Sequence, residues 1–209
     1  MARDLRSSPD GRPDDQPSRQ QRSHKNRVLA GLRADERGWI AGAQSGSLPD
    51  LEALFREHWP RAYRAAYLVV HDGAAAEDIA QEAMLSAIRT LDRFDRRRPF
   101  GPWLHRLVVN RAIDWARASA LRAEADEPAL ELAAAGRAEE GESYSQPLLA
   151  GLGGLSPDHR AVIVLRHLLE YSPREIARML DLPRGTVNSR LRRGLDRLAD
   201  RIEVDEDTL

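Results

Sequence analysis

The sequence predicts an all-α chain of two small helical domains joined by a flexible acidic linker. Three observations carry this expectation. Apolar residues recur at three- and four-residue steps in two separate stretches, 48–118 and 151–203. Between them, residues 119–150 lose the period and fill with alanine, glycine, proline and acids. The two-residue alternation that marks a strand is absent.

Residues 1–47 are rich in Pro, Ser, Gly, Gln and Arg and predict a disordered tail, with a short helix within "NRVLAGLRADERGWIAGA". The first helix of the bundle follows from Leu51, Leu54, Phe55, Trp59, Ala62, Tyr63, Ala66, Tyr67 and Val70. "HDGA" (71–74) ends it in a glycine turn. Ala76, Ile79, Ala83, Met84, Ala87, Ile88 and Leu91 repeat the period in a second helix. "RFDRRRPFGP" (93–102) reads as a loop because of its two prolines and glycine. A third helix, about 103–118, places Trp103, Leu104, Leu107, Val108 and Trp115 in the core.

In the linker, Glu124, Asp126, Glu127, Glu131, Glu139, Glu140 and Glu142 face only Arg122 and Arg137, about five negative charges in excess. Such a segment between basic surfaces is expected to draw them together. Order resumes at "LSPDHRAVIVLRHLLEY", with Ser156 at a helix cap, Pro157 at the first helical position, and a core face of Val162, Ile163, Leu165, Leu168 and Leu169. "SPREIARML" contains a capping box, Ser172 to Glu175, ahead of Ile176, Ala177 and Leu180. After "DLPRG" comes a helix with apolar Val187, Leu191, Leu195 and Leu198; residues 204–209 are a short tail.

The formal net charge of −1 hides a strong segregation of charge. The last helix and its entry carry Arg184, Arg190, Arg192, Arg193, Arg197 and Arg201 against Asp196 and Asp200. A short capped helix, a tight turn and a second helix with this polar face make a helix-turn-helix, whose second helix enters the major groove. Arg184, Thr186, Asn188, Ser189, Arg190, Arg192 and Arg193 are the available readers. Arginine can grip guanine O6 and N7, and asparagine can pair with adenine. In the first domain, Arg96, Arg97 and Arg98 stand among Phe94, Phe100 and Trp103, the mixture of cation and ring that suits single-stranded nucleic acid. Asp78, Gln81 and Glu82 share one polar helical face that suits a basic protein partner.

Other classes are set aside. The chain has no cysteine, no apolar run long enough to span a bilayer and no secretory segment, so a cytoplasmic protein is expected. No nucleophile–base pair or metal-spaced carboxylate set occurs, and His24, His58, His71, His105, His159 and His167 are scattered. The expectation is a protein that is not an enzyme and takes no cofactor or metal.

The stretches "LFREHWPRAYRAAYLVVHDGAAAEDIAQEAMLSAIRTLDRFD", "PWLHRLVVNRAIDWAR" and "LSPDHRAVIVLRHLLEYSPREIARMLDLPRGTVNSRLRRGLDRL" resemble the extracytoplasmic-function (ECF) sigma factors of bacterial RNA polymerase. The resemblance implies a region 2 bundle over 48–118 and a region 4 helix-turn-helix over 151–203. It implies core RNA polymerase and promoter DNA as partners, and an anti-sigma factor as a further one. By position, Asp78, Gln81 and Glu82 match the face that binds the clamp coiled coil of the largest polymerase subunit. Arg96, Arg97, Arg98 and Phe100, with Asn110 and Arg111, match the element that captures a single-stranded base of the −10 sequence. Arg184, Thr186, Asn188, Ser189, Arg190, Arg192 and Arg193 match the helix that reads the −35 duplex. Asn188 stands where the family commonly has a basic residue, and the tail of about 47 residues exceeds the minimal family plan. The alternative is a stand-alone helix-turn-helix regulator, which would need neither the Asp78 face nor the arginine–aromatic loop.

Overall fold

The computed structural model describes residues 35–125 and 144–206. Among them the regular elements are helical. Residues 35–44 form α1, followed by α2 (Leu48–Val70), α3 (Gly73–Thr90), a 3-10 turn (Leu91–Arg93) and α4 (Phe100–Ala125). The second group comprises α5 (Gln146–Gly153), α6 (Pro157–Ile163, continued by a π turn over Val164–Leu168), α7 (Pro173–Met179) and α8 (Arg184–Glu206).

Local chemistry explains the boundaries. Ser47 caps α2 and Asp72 caps α3, the latter accepting from the Ala75 N–H at 2.9 Å. The α2–α3 break does not use the left-handed freedom of Gly73. His71 takes that conformation (φ 58°), and Gly73 begins α3. The expected capping box at Ser172 has both of its bonds, from Glu175 N–H to the Ser172 hydroxyl and from Ser172 N–H to the Glu175 carboxylate. Ser156 stands at the α6 cap with Pro157 after it, but its hydroxyl pairs with His159 Nδ1 at 2.6 Å instead of a backbone N–H.

Three expected boundaries shift. Residues 35–47, read as tail, are ordered: α1 falls largely within the stretch where a short helix is expected, and its Ile40 is buried in the first bundle, which gives this stretch an apolar anchor. The loop is shorter than expected, because α4 begins at Phe100 and takes Gly101 and Pro102 into its first turn. The segment read as linker loses both ends, since α4 runs on to Ala125 and α5 begins at Gln146. Residues 1–34, 126–143 and 207–209, including most of the expected tail and linker, lie outside the described residues.

The first bundle is built on α2, α3 and α4, with alanines 62, 65, 66, 76, 80, 83, 87 and 112 at their contacts. Small side chains there let the helices pack closely. The second bundle packs α5, α6 and α7 on α8 around Val162, Leu165, Ile176, Val187 and Leu191. The two bundles also pack on each other, α6 and its π turn lying against α2 and α4, so the buried apolar residues form one continuous core.

Candidate nucleic-acid interface

Helix α8 presents two distinct faces. Val187, Leu191, Gly194 and Leu198 are buried against the bundle. The expected core position Leu195 is 38% exposed. Gly194 takes its place at the contact, where an added Cβ would come within 3.0 Å of the Ile163 side chain. Arg184, Asn188, Arg192, Arg193 and Arg197 are exposed, while Thr186 and Ser189 are half-buried. The Ser189 hydroxyl donates to the Thr186 carbonyl at 2.9 Å, which fixes it on the helix. The turn before α8 reverses at Asp181 (φ 53°), and the Pro183 carbonyl accepts the first helical N–H groups, from Thr186 and Val187. Helix α7, held by its capping box, braces α8 from behind.

Arg190 departs from the expectation of a free reader. Its guanidinium lies 2.9 Å from Asp158 Oδ1, and Arg117 of α4 reaches the same oxygen at 2.8 Å. One carboxylate at the start of α6 thus joins a basic residue of each bundle. A second polar contact joins the two bundles: His105 Nδ1 of α4 and the Tyr171 hydroxyl are 2.7 Å apart. Burial lowers the His105 pKa to about 3, with His58 and Arg61 adding to the effect, so the ring is neutral. Burial, helped by Arg160, likewise lowers His71 to about 4. Sequence reasoning missed these contacts because Asp158 lies 32 and 41 residues from its arginines, and Tyr171 lies 66 from His105. A carboxylate beside a helix-starting proline was the only local signal.

In the first bundle the loop 94–99 projects Arg96, Arg97 and Arg98, all exposed. Its turn is closed locally, with Arg97 N–H donating to Asp95 Oδ1 at 3.0 Å and Arg98 N–H to the Asp95 carbonyl at 2.9 Å. Phe100 does not stand beside these arginines as a stacking surface. It is 4% exposed and packs against His58, Phe94 and Trp103, with ring centroids 5.0, 5.7 and 5.4 Å away. The helix start that follows the loop draws it into the core. Trp103 is half-buried and lies 4.7 Å from Phe94. Asn110 and Arg111 are half-buried further along α4.

Asp78, Gln81 and Glu82 are exposed together on α3. Gln81 donates to Glu77 at 3.1 Å, and Arg111 Nε lies 3.7 Å from Glu82 Oε2. The acidic face of α3 and the basic residue of α4 therefore meet at one edge of the bundle. Among the described residues no group of histidines and carboxylates is placed to hold a metal ion, and no helix is long and apolar enough to cross a membrane.

A helix-turn-helix with a basic outer face, docked on an alanine-rich bundle with an arginine loop, defines a two-part DNA-binding factor. The Sigma-70 region 2 family matches residues 54–122 and Sigma-70, region 4 matches residues 145–198, together more than half the chain. The chain is 32% identical over 163 residues to RNA polymerase sigma factor CarQ of Myxococcus xanthus, covering 75% of this chain and 91% of CarQ. It is 33% identical over 163 residues to ECF RNA polymerase sigma factor SigM of Mycobacterium tuberculosis, covering 77% and 81% respectively. The structure of CnrH in complex with the cytosolic domain of CnrY is similar at 26% identity and a TM-score of 0.61, covering 82% of this chain and 99% of that one. The chain belongs to the ECF sigma factors of the sigma-70 family. It is an alternative sigma factor, which binds core RNA polymerase and directs promoter-specific initiation of transcription through region 2 at the −10 element and region 4 at the −35 element.

Proposed function

We propose the following division of labour among its residues. Arg184, Thr186, Asn188, Ser189, Arg192 and Arg193 read the −35 duplex from the outer face of α8, and Arg190 joins them when it leaves Asp158. The observation that carries this reading is the separation of α8 into a buried stripe and an exposed arginine-rich face. Arg96, Arg97 and Arg98 hold the phosphates of the −10 single strand, and Asn110 and Arg111 continue that surface along α4. Phe100 supports the loop from within. Asp78, Gln81 and Glu82 dock on the clamp coiled coil of the largest polymerase subunit. The protein works in the cytoplasm and is not itself an enzyme: it supplies binding energy for promoter opening while polymerase does the chemistry. Holding unstacked bases offsets part of the few kcal/mol that each costs to extrude. The similar CnrH structure contains a second polypeptide, and an anti-sigma factor is the corresponding partner here.

Reversing charge at Asp78 and Glu82 together tests the docking face. Both residues are exposed, so stability should change by only about 0.5 kcal/mol. Affinity for core polymerase should fall, as read by co-purification and by run-off transcription. A variant that melts like the parent and binds core equally well would refute the docking assignment.

A further inference from the structure

The −10 loop is fastened at both of its ends to one helix outside the region 2 match. Glu36, Ile40 and Gln44 recur every four residues on α1 and so form a single stripe. Ile40, in the middle, is 1% exposed and anchors the helix in the core. At one end of the stripe, Gln44 Nε2 donates to the Leu91 carbonyl at 2.9 Å and to the Phe94 carbonyl at 3.0 Å. At the other end, Glu36 Oε1 accepts from the Phe100 N–H at 3.1 Å. The loop 94–99 is strung between these two attachments. Residues 36 and 44 are about 12 Å apart along a helix, whereas the chain from Phe94 to Phe100 could extend to roughly 20 Å. The attachments therefore remove much of the loop's freedom.

We propose that α1 is a brace that presets the arginine loop for −10 capture, with Glu36 and Gln44 as positioning residues that do not touch DNA. The inference rests on the reading of Arg96–Arg98 given above. Its physical basis is preorganisation: a loop already held in its bound form loses less entropy on binding. Each attachment is chemically complete at the loop. Gln44 spends both amide protons on the carbonyls at the two ends of the 3-10 turn. Glu36 supplies an acceptor at the N-terminus of α4, where N–H groups lack partners within the helix and the helix dipole favours an anion. Burial pushes the Glu36 carboxyl up, but His58, whose Nε2 lies 3.4 Å away, and the Phe100 and Gly101 N–H groups outweigh it and hold the group below the usual carboxylate range.

The test uses the full chain bound to core polymerase. The probes are the single-stranded oligonucleotide and the −35-type duplex that the parent holoenzyme enriches from randomised pools. Gln44→Glu places acceptors against two carbonyls and should weaken single-strand binding about tenfold, with duplex binding within twofold. Amide exchange at residues 95–98 and at Phe100 should quicken in the same variant. Glu36→Ala should behave alike, whereas Glu36→Gln keeps an acceptor oxygen and should restore most of the binding. Parallel loss of single-strand and duplex binding in both Gln44→Glu and Glu36→Ala would mean that α1 only supports the fold, and would overturn the proposal. So would parental single-strand affinity in both. Combined Arg96→Ala, Arg97→Ala and Arg98→Ala separates the two levels. If it binds the single strand like the parent, the loop reading fails and the brace falls with it. If the arginines matter and Gln44 and Glu36 do not, the brace alone is wrong.

Discussion

Individual arginines of similar appearance hold different positions. Arg193 is exposed on α8, whereas Arg190, three residues earlier, is half-buried in its bridge to Asp158. Replacing Arg193 with alanine should therefore act on DNA alone. If Arg193 grips a guanine, the cost is about 1–3 kcal/mol with relaxed choice at one base pair. If it meets a phosphate, binding weakens for all sequences and the salt slope falls by about one. Fluorescence anisotropy over several salt concentrations and single-base variants distinguishes these outcomes, and an unchanged titration would remove Arg193 from the interface. Phe100 illustrates the opposite displacement: its ring belongs to the core cluster with Phe94 and Trp103.

At the scale of one element, α8 has a tighter inner stripe than its leucines imply. The contact runs Val187, Leu191, Gly194, Leu198, and the absence of a side chain at 194 lets the helix approach Ile163 and His159. Gly194→Leu should overpack this contact and lower stability by about 1–3 kcal/mol. Leu195→Gln, one position away and exposed, should stay within about 0.5 kcal/mol of the parent. Thermal melting of the pair checks both; equal losses would contradict the observed stripe. Helix α7 depends on its cap in a similar way. Ser172→Ala removes the hydroxyl of the capping box and should cost about 1 kcal/mol, detectable in the same melts.

For the whole molecule, regions 2 and 4 meet at a junction tied by a carboxylate shared between two arginines. Asp158 is a shared anion between Arg117 and Arg190, partly exposed, so each pair contributes at most about 1 kcal/mol. Asp158→Asn should loosen the junction, expand the free protein in small-angle scattering and strengthen duplex binding through the released Arg190. Unchanged dimensions and affinity would show that the bridge does not restrain the bundles. Acid should act in the same direction. His105 and His71 are neutral in the packed form, at about 3 and 4, while an exposed histidine titrates near 6.5. As pH falls below about 6.5, the separated or unfolded form takes up protons that the packed form refuses. Each histidine then costs the packed form about 1.4 kcal/mol per pH unit, until its lowered value is reached. His105 faces His58, Arg61 and Tyr171, Tyr171 in turn feels Glu175 and Glu36, and His71 faces Arg160, so removing His105 alone should reduce the effect without abolishing it. Scattering between pH 7.5 and 5.5 for the parent and His105→Gln reads this directly; equal profiles at both pH values would refute it.

Much of this was legible in the residues alone, for a physical reason. Helix period, proline at first helical positions and the Ser172–Glu175 box are interactions within about four residues, so the sequence by itself determined the helical class, the helix-turn-helix and the exposed polar faces of α3 and α8. The motifs carrying the ECF resemblance are equally local. What the tertiary structure decided were partnerships across long separations. Ile40 docked the short N-terminal helix α1 into the first bundle, and Phe100 left the DNA-facing set for the core. Gly194 displaced Leu195 from the α8 contact. Asp158 tied Arg190 to Arg117, and Tyr171 met His105 across the two regions. Each outcome depends on which surfaces meet when whole helices pack. A residue's neighbours along the chain specify its helix and its face, while the helix opposite decides whether that face reads DNA or is held within the fold.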